Sequence, residues 1–207
     1  RGDTVVTTLD ADLQQAAYDA LGDNRGAVVV MEADTGKILS MVSKPDYDPN
    51  SIYADWNTLI SDETNSPLLN RAMNGSYAPG SVFKIVTTLA YMRQNSDYQS
   101  YTYDCAGKIE VGDTSISCFN GTVHGFEDLR SSFANSCNSS FCNIGMLLDI
   151  SDYRQTAEDL LFNSPLPGVL DYKRSSFALE ENSGDAEIMM TAMGQGKTTV
   201  SPYHMAL

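Results

Sequence analysis

The chain has 207 residues, of which 42% are hydrophobic and 19% charged, the composition of a folded globular protein able to bury a core. Lys plus Arg number 13 against 27 Asp plus Glu, a formal net charge of −14, which repels phosphate backbones and argues against nucleic acid as a partner. Apolar runs such as Ala27 to Met31 are far too short to cross a bilayer, and no charged region followed by an apolar stretch opens the chain.

In chain order, Thr4 to Leu9 is β-branched and extended in character. Asp10 then reads as an N-cap for a helix carrying Leu13, Ala16, Ala17, Ala20 and Leu21 at helical spacing, closed by Gly22. Residues 26–43 read as a hairpin, with two β-rich runs flanking Ala33-Asp34-Thr35-Gly36. The Pro-, Asp- and Asn-rich stretch 45–74 reads as irregular, anchored by Trp56 and Leu59. After Pro79-Gly80, Ser81 opens a helix to about Gln94 that is apolar on almost every side, the pattern of a helix in the middle of a domain. Residues 127–162 read as several helical pieces, the last capped by Ser151. A polar connection (168–185) and a helix over 187–193 follow, and Ser201-Pro202 opens a last helix. No repeat and no linker divides the chain, so one domain over residues 1–207 is expected.

Cys105 and Cys118 flank twelve residues of hairpin character, and a disulfide across them suits an oxidising compartment. Cys137 and Cys142 read as small buried residues. The spacing argues against a metal: there is no Cys-x-x-Cys, and His124 and His204 are eighty residues apart. A Ser-His-Asp triad finds no support, because no Gly-x-Ser-x-Gly occurs. The phosphate-loop reading of Gly196-Lys197-Thr198 fails because Thr191 stands where its first glycine belongs.

A serine can instead be activated by an amine. Ser81-Val-Phe-Lys84 puts hydroxyl and ammonium on one helix face at i and i+3. Of six lysines, only Lys84 has a serine three residues before it, and it lies on the most apolar helix. Burial lowers its pKa and makes it a base for Ser81, while the helix N-terminus favours an oxyanion there. The only Ser-x-Asn, Ser136-Cys137-Asn138, lies between two helical pieces. Ser136 can relay a proton and Asn138 can bind an amide with both donor and acceptor. An ordinary turn using Ser and Asn is the competing reading.

Asn70-Arg71-Ala72 followed by Gly75-Ser-Tyr-Ala-Pro-Gly-Ser-Val-Phe-Lys84 resembles the first active-site motif of penicillin-binding protein transpeptidase domains, and Ser136-Cys137-Asn138-Ser-Ser-Phe141 resembles the second. Val6 to Asp10, the hairpin of Gly26 to Met31 with Thr35 to Met41, Tyr47-Asp-Pro-Asn50, His124-Gly125, Gly194-Gln-Gly196, Val200-Ser-Pro202 and Met205-Ala206 also match the pattern, in order along nearly the whole chain.

The resemblance implies an α+β fold of the penicillin-binding protein/β-lactamase type: an antiparallel sheet flanked by helices, with a helical subdomain. It implies a class B-like serine acyltransferase in which Ser81 attacks D-alanyl-D-alanine stem peptides of peptidoglycan and the acyl group passes to an amine of a neighbouring strand. Lys84 is then the base, Ser136 the relay and Asn138 the partner of substrate amide and lysine, with half the oxyanion hole from the Ser81 N–H. β-Lactams become acylating ligands, and no metal or organic cofactor is needed. The same resemblance implies the extracytoplasmic face of a bacterial membrane, an anchor outside this sequence, and cell-wall synthesis machinery as a partner. The third family motif, Lys-Thr/Ser-Gly, does not occur; Lys197-Thr198-Thr199 ends in Thr. The expectation is therefore the N-terminal two-thirds of a transpeptidase domain, with an unpaired sheet edge. The alternatives are a β-lactam sensor or other non-catalytic binding module, a D,D-carboxypeptidase and a serine β-lactamase.

Overall fold

The computed structural model describes residues 2–168 and 170–207. Arg1 and Val169, the latter inside the 168–185 connection, lie outside the described residues. The elements begin α1 (Ala11–Leu21), β1 (Gly26–Met31), β2 (Ile38–Lys44), α2 (Ile52–Ser61) and α3 (Arg71–Asn74). A 3-10 turn (Gly80–Phe83) leads into α4 (Lys84–Gln94). Four short strands follow: β3 (Thr102–Cys105), β4 (Lys108–Val111), β5 (Thr114–Ser117) and β6 (Gly125–Asp128). The remainder is helical: α5 (Leu129–Ala134), α6 (Asn138–Met146), α7 (Ile150–Asp159), α8 (Asp185–Ala192) and α9 (Pro202–Ala206). Helices with antiparallel strand pairs make the fold α+β, as expected.

The chain forms two compact units. The first comprises residues 1–77, 166–173 and 200–207. Here β1 and β2 pair antiparallel, Gly26 opposite Lys44, with a register irregularity at Val30/Met31. Asp10 caps α1, accepting from Leu13 N at 2.9 Å. The Gln14 amide then docks α1 on the sheet edge, donating to Met41 O (2.7 Å) and accepting from Met41 N (2.8 Å). A side-chain amide thus completes the edge as a neighbouring strand would. Arg71 is buried and donates to Ser66 O at 3.2 Å and to Asn65 O.

The stretch 45–74 is more ordered than expected, since α2 and α3 both lie in it. Ile52, Trp56, Leu59 and Ile60 do recur at helical spacing, but the surrounding Pro, Asp and Asn residues mask the signal. Trp56 is not an anchor: it is 48% exposed, and α2 has no buried residue.

The second unit comprises residues 78–165 and 174–199. Its strands form two separate antiparallel pairs, β3 with β6 and β4 with β5. An aromatic cluster fills its centre: Phe83 stands edge-on to Phe162 at 5.4 Å and packs against Phe177, while Tyr153 meets Phe177 edge-on at 5.0 Å. Thr87 Oγ1 bonds both Tyr153 OH (2.7 Å) and Ala192 O (2.8 Å), tying α4 to α7 and the end of α8. Helix α6 lies close on α8: a Cβ at Gly145 would come within 2.5 Å of the Ala192 Cβ.

Two helix expectations need correction. Helix α4 is buried on one face only; Ile85 and Leu89, like Val82 in the turn before it, are substantially exposed. The last helical piece of 127–162 is capped by Asp149, not Ser151, because Asp149 accepts from Asp152 N at 3.0 Å.

Candidate active site

Ser81 sits in the 3-10 turn that opens α4, and glycine makes that turn. Gly80 has φ +64° and donates its N–H to Gly194 O at 2.7 Å. At Gly194 (φ +81°) a Cβ would lie 1.8 Å from Gly80 O, so only glycine lets the Gly194-Gln195-Gly196 segment run against this turn. Phe83, wholly buried in the aromatic cluster, anchors the turn from below and leaves Ser81 exposed. Lys84 is 1% exposed.

Ser136 arrives by a different device. Helix α5 ends with two bonds, Ser136 N to Phe133 O (3.1 Å) and Cys137 N to Ser132 O (3.0 Å). This is a Schellman closure, which needs a left-handed residue at the position after the C-cap and usually takes glycine. Here that residue is Ser136, at φ +51°. A side chain held at such a φ costs on the order of 1 kcal/mol and persists where the side chain is used. Asn135 is held by buried Glu127, whose Oε1 accepts from Asn135 Nδ2 at 2.8 Å. Cys137 is the N-cap of α6, its Sγ facing Ser140 N, so Asn138 starts the helix.

These turns meet at Lys84. Its Nζ lies 2.7 Å from Ser136 O, 2.8 Å from Ser136 Oγ and 2.8 Å from Asn138 Oδ1. Ser136 Oγ lies 3.0 Å from Ser81 Oγ, and Asn138 Nδ2 donates to Ser117 O at 3.3 Å. Burial lowers the Lys84 pKa from 10.5 to about 8, against a smaller opposing influence of the Cys137, Cys142 and Cys118 thiols. A neutral amine has two N–H donors and one lone pair. Ser136 O and Asn138 Oδ1 can only accept, so they take the two donors. In the structure Lys84 Nζ donates to Ser136 Oγ and the Ser136 hydroxyl donates to Ser81 Oγ; with the amine neutral, the Ser136 hydroxyl has to turn toward the lone pair before its oxygen can take the Ser81 proton. The geometry permits proton movement from Ser81 through Ser136 to Lys84.

All four candidates, Ser81, Lys84, Ser136 and Asn138, are thus brought together, although Lys84 meets Ser136 where the i, i+3 spacing pointed it at Ser81. Lys197 stands apart, with an exposed side chain 3.2 Å from Glu187. The expected Cys105–Cys118 disulfide is corrected: both are free thiols, their sulfurs 3.7 Å apart, in a cluster that also takes in Cys137. The positioning roles of Glu127, Asn135 and Gly194 escaped the sequence reading; the only signal was the matching Gly-Gln-Gly, which did not say what it touches.

The family model for the penicillin-binding protein transpeptidase domain matches residues 26–207. The chain is 33% identical to the peptidoglycan D,D-transpeptidase PbpA of Mycolicibacterium smegmatis, over 100% of this chain and 45% of the relative. The penicillin G acyl-enzyme complex of penicillin-binding protein A from M. tuberculosis superposes with a TM-score of 0.85 at 30% identity, covering 96% of this chain and 49% of that one. Pseudomonas aeruginosa PBP2 superposes with a TM-score of 0.87 at 25% identity, covering 97% and 49%. The chain therefore spans about half the length of the relatives it matches. It belongs to the penicillin-binding protein transpeptidase domain family.

Proposed function

We propose that residues 1–207 belong to one serine-type D,D-transpeptidase domain that forms an acyl-enzyme on Ser81 from D-Ala-D-Ala stem peptides and cross-links peptidoglycan. The observation that carries this reading is the continuous hydrogen-bonded path from exposed Ser81 through Ser136 to a buried lysine. Ser81 Oγ attacks the penultimate carbonyl as its proton passes to Ser136, whose own proton passes to Lys84 Nζ. The oxyanion forms at the N-terminal end of the Gly80–Gln94 helical segment, where the helix dipole and the Ser81 N–H favour negative charge. The leaving D-alanine amine takes the proton back along the same path. An acceptor amine then attacks the ester by the reverse sequence, and Asn138 holds the substrate amide.

Relatives whose names and complexes record peptidoglycan transpeptidation and β-lactam acylation support the substrate class and the inhibitor class. A cell-envelope location, at the extracytoplasmic face of the membrane, follows from that substrate. The complex of Helicobacter pylori PBP2 with MreC makes a cell-wall assembly protein the kind of partner to expect.

The test is acylation by a fluorescent penicillin, read by intact mass. One adduct per chain on Ser81, absent in Ser81→Ala and released over hours, is expected. No adduct refutes the reading, and rapid release assigns a β-lactamase instead.

A further inference from the structure

The cysteine cluster beneath the Ser136 turn has no part in the acyl-transfer path. Cys105 closes β3, Cys118 follows β5, His124 precedes β6, and Cys137 lies between Ser136 and Asn138. The three thiols are almost wholly buried and His124 is half-buried. One ligand atom from each of the four residues lies within 4.8 Å of all the others. The closer edges are 3.7 Å for Cys105–Cys118, 3.8 Å for Cys118–Cys137 and 3.3 Å for Cys105 Sγ to His124 Nδ1. A tetrahedral zinc with Zn–S of about 2.3 Å and Zn–N of about 2.0–2.1 Å subtends sulfur–sulfur edges of about 3.8 Å and sulfur–nitrogen edges of about 3.6 Å. The three cluster edges are close to those of a metal tetrahedron, and no pair of ligand atoms is more than 4.8 Å apart. Bonded sulfurs lie at about 2.0 Å, and three cysteines cannot all pair with one another.

The surroundings are those of a thiolate site. Ser139 Oγ is 3.1 Å from Cys105 Sγ, 3.3 Å from Cys118 Sγ and 3.5 Å from Cys137 Sγ. Backbone N–H groups of Gly107 and Ser140 point at Cys105 and Cys137 at 3.4 and 3.5 Å. Gly107 has to be glycine, because a Cβ there would lie 2.6 Å from Gly121 O. Such outer donors orient and stabilise sulfur ligands.

We propose that Cys105, Cys118, His124 and Cys137 form a Cys3His site for one Zn2+ that clamps the turn carrying Ser136 and Asn138. Binding is a proton-for-metal exchange: three thiols lose their protons, neutral His124 offers a ring nitrogen, and nothing is oxidised or reduced. The ligands escape a sequence search because β-strand pairing assembles them: Cys105 lies opposite Gly125, the neighbour of His124. The ligand set rests on geometry alone. The clamp rests on the acyl-enzyme reading of Ser81.

The experiment measures zinc in the full-length protein purified without chelator, counts thiols in denaturant with chelator and no reductant, and reconstitutes the apoprotein with Co2+. About one Zn2+ per chain, reaction of Cys105, Cys118, Cys137 and Cys142 as identified by peptide mass, and thiolate-to-cobalt charge-transfer absorption are expected. Cys105→Ser and His124→Ala lose the metal, whereas Cys142→Ser, outside the cluster, keeps it. Should the ligand variants fail to fold, the native protein's metal and thiol counts still decide. Two thiols too few, or no zinc and no cobalt spectrum, overturns the site. Removing zinc is expected to slow penicillin acylation by about tenfold or more. Unchanged acylation of the zinc-free protein overturns the clamp, and no acylation of the zinc-loaded protein overturns the transpeptidase reading instead.

Discussion

The turns that deliver Ser81 and Ser136 both contain a left-handed residue, and they fill it differently. In the Ser81 turn the positive φ falls on Gly80, so Ser81 next to it keeps an ordinary backbone. In the Ser136 turn it falls on Ser136 itself. The difference follows from what each position must supply. Gly80 contributes an N–H to Gly194, and a Cβ there adds strain while meeting only Gln195 Nε2 at 3.9 Å. Position 136 has to present a hydroxyl to both Lys84 and Ser81, so a residue with a side chain occupies a place where glycine would be more stable. One turn is optimised for shape; the other gives up stability for chemistry.

The most severe way to break the pair is to remove the group on which both turns converge. Lys84→Met, similar in length but without the amine, is expected to slow penicillin acylation by about 10³–10⁴-fold in stopped-flow or gel labelling, with the far-ultraviolet spectrum retained. Next, Ser136→Gly should separate shape from chemistry. It removes the strained side chain, so urea denaturation should show stability unchanged or raised by up to ~1 kcal/mol, while acylation falls about 10²–10³-fold. A destabilised Ser136→Gly protein would refute the strain argument.

Gly194→Ala should act in the opposite sense, losing about 3 kcal/mol or more because its Cβ has nowhere to go against Gly80 O. Gly80→Ala meets only Gln195 Nε2 at 3.9 Å, so strain alone should cost it ~1 kcal/mol.

The smallest effect is pH. With Lys84 at about 8, acylation should rise with pH to a plateau above that value and fall about tenfold per unit below it. The sign for stability is the same. Between about 8 and 10.5 the unfolded chain binds the lysine proton that the folded chain has lost, so this group makes stability rise with pH through that window. A rate independent of pH across 7–9 would show that Lys84 is not the base.

Much of this was legible locally. Asp10, Ser201-Pro202 and the Gly26–Ser43 hairpin carry their signals within a few residues, and those elements lie where capping and alternation put them. Helix α2 is less legible although its Ile52, Trp56, Leu59 and Ile60 spacing is helical, because the flanking Pro, Asp and Asn residues carry the stronger loop signal. The one-sided burial of α4 was not legible either: apolar side chains all round a helix do not say which of them find a neighbour.

The sequence by itself determined the Ser81–Lys84 pair, since helical rise fixes i and i+3 on one face whatever surrounds them. It also determined that Ser136 and Asn138 travel together. Only the tertiary structure decided that Lys84 bonds Ser136 and Asn138, that Gly194 lies against Gly80, and that Cys105, Cys118, His124 and Cys137 converge. Spacing along one helix is set by backbone geometry. Meetings between distant segments are set by strand register and packing, which no local pattern encodes.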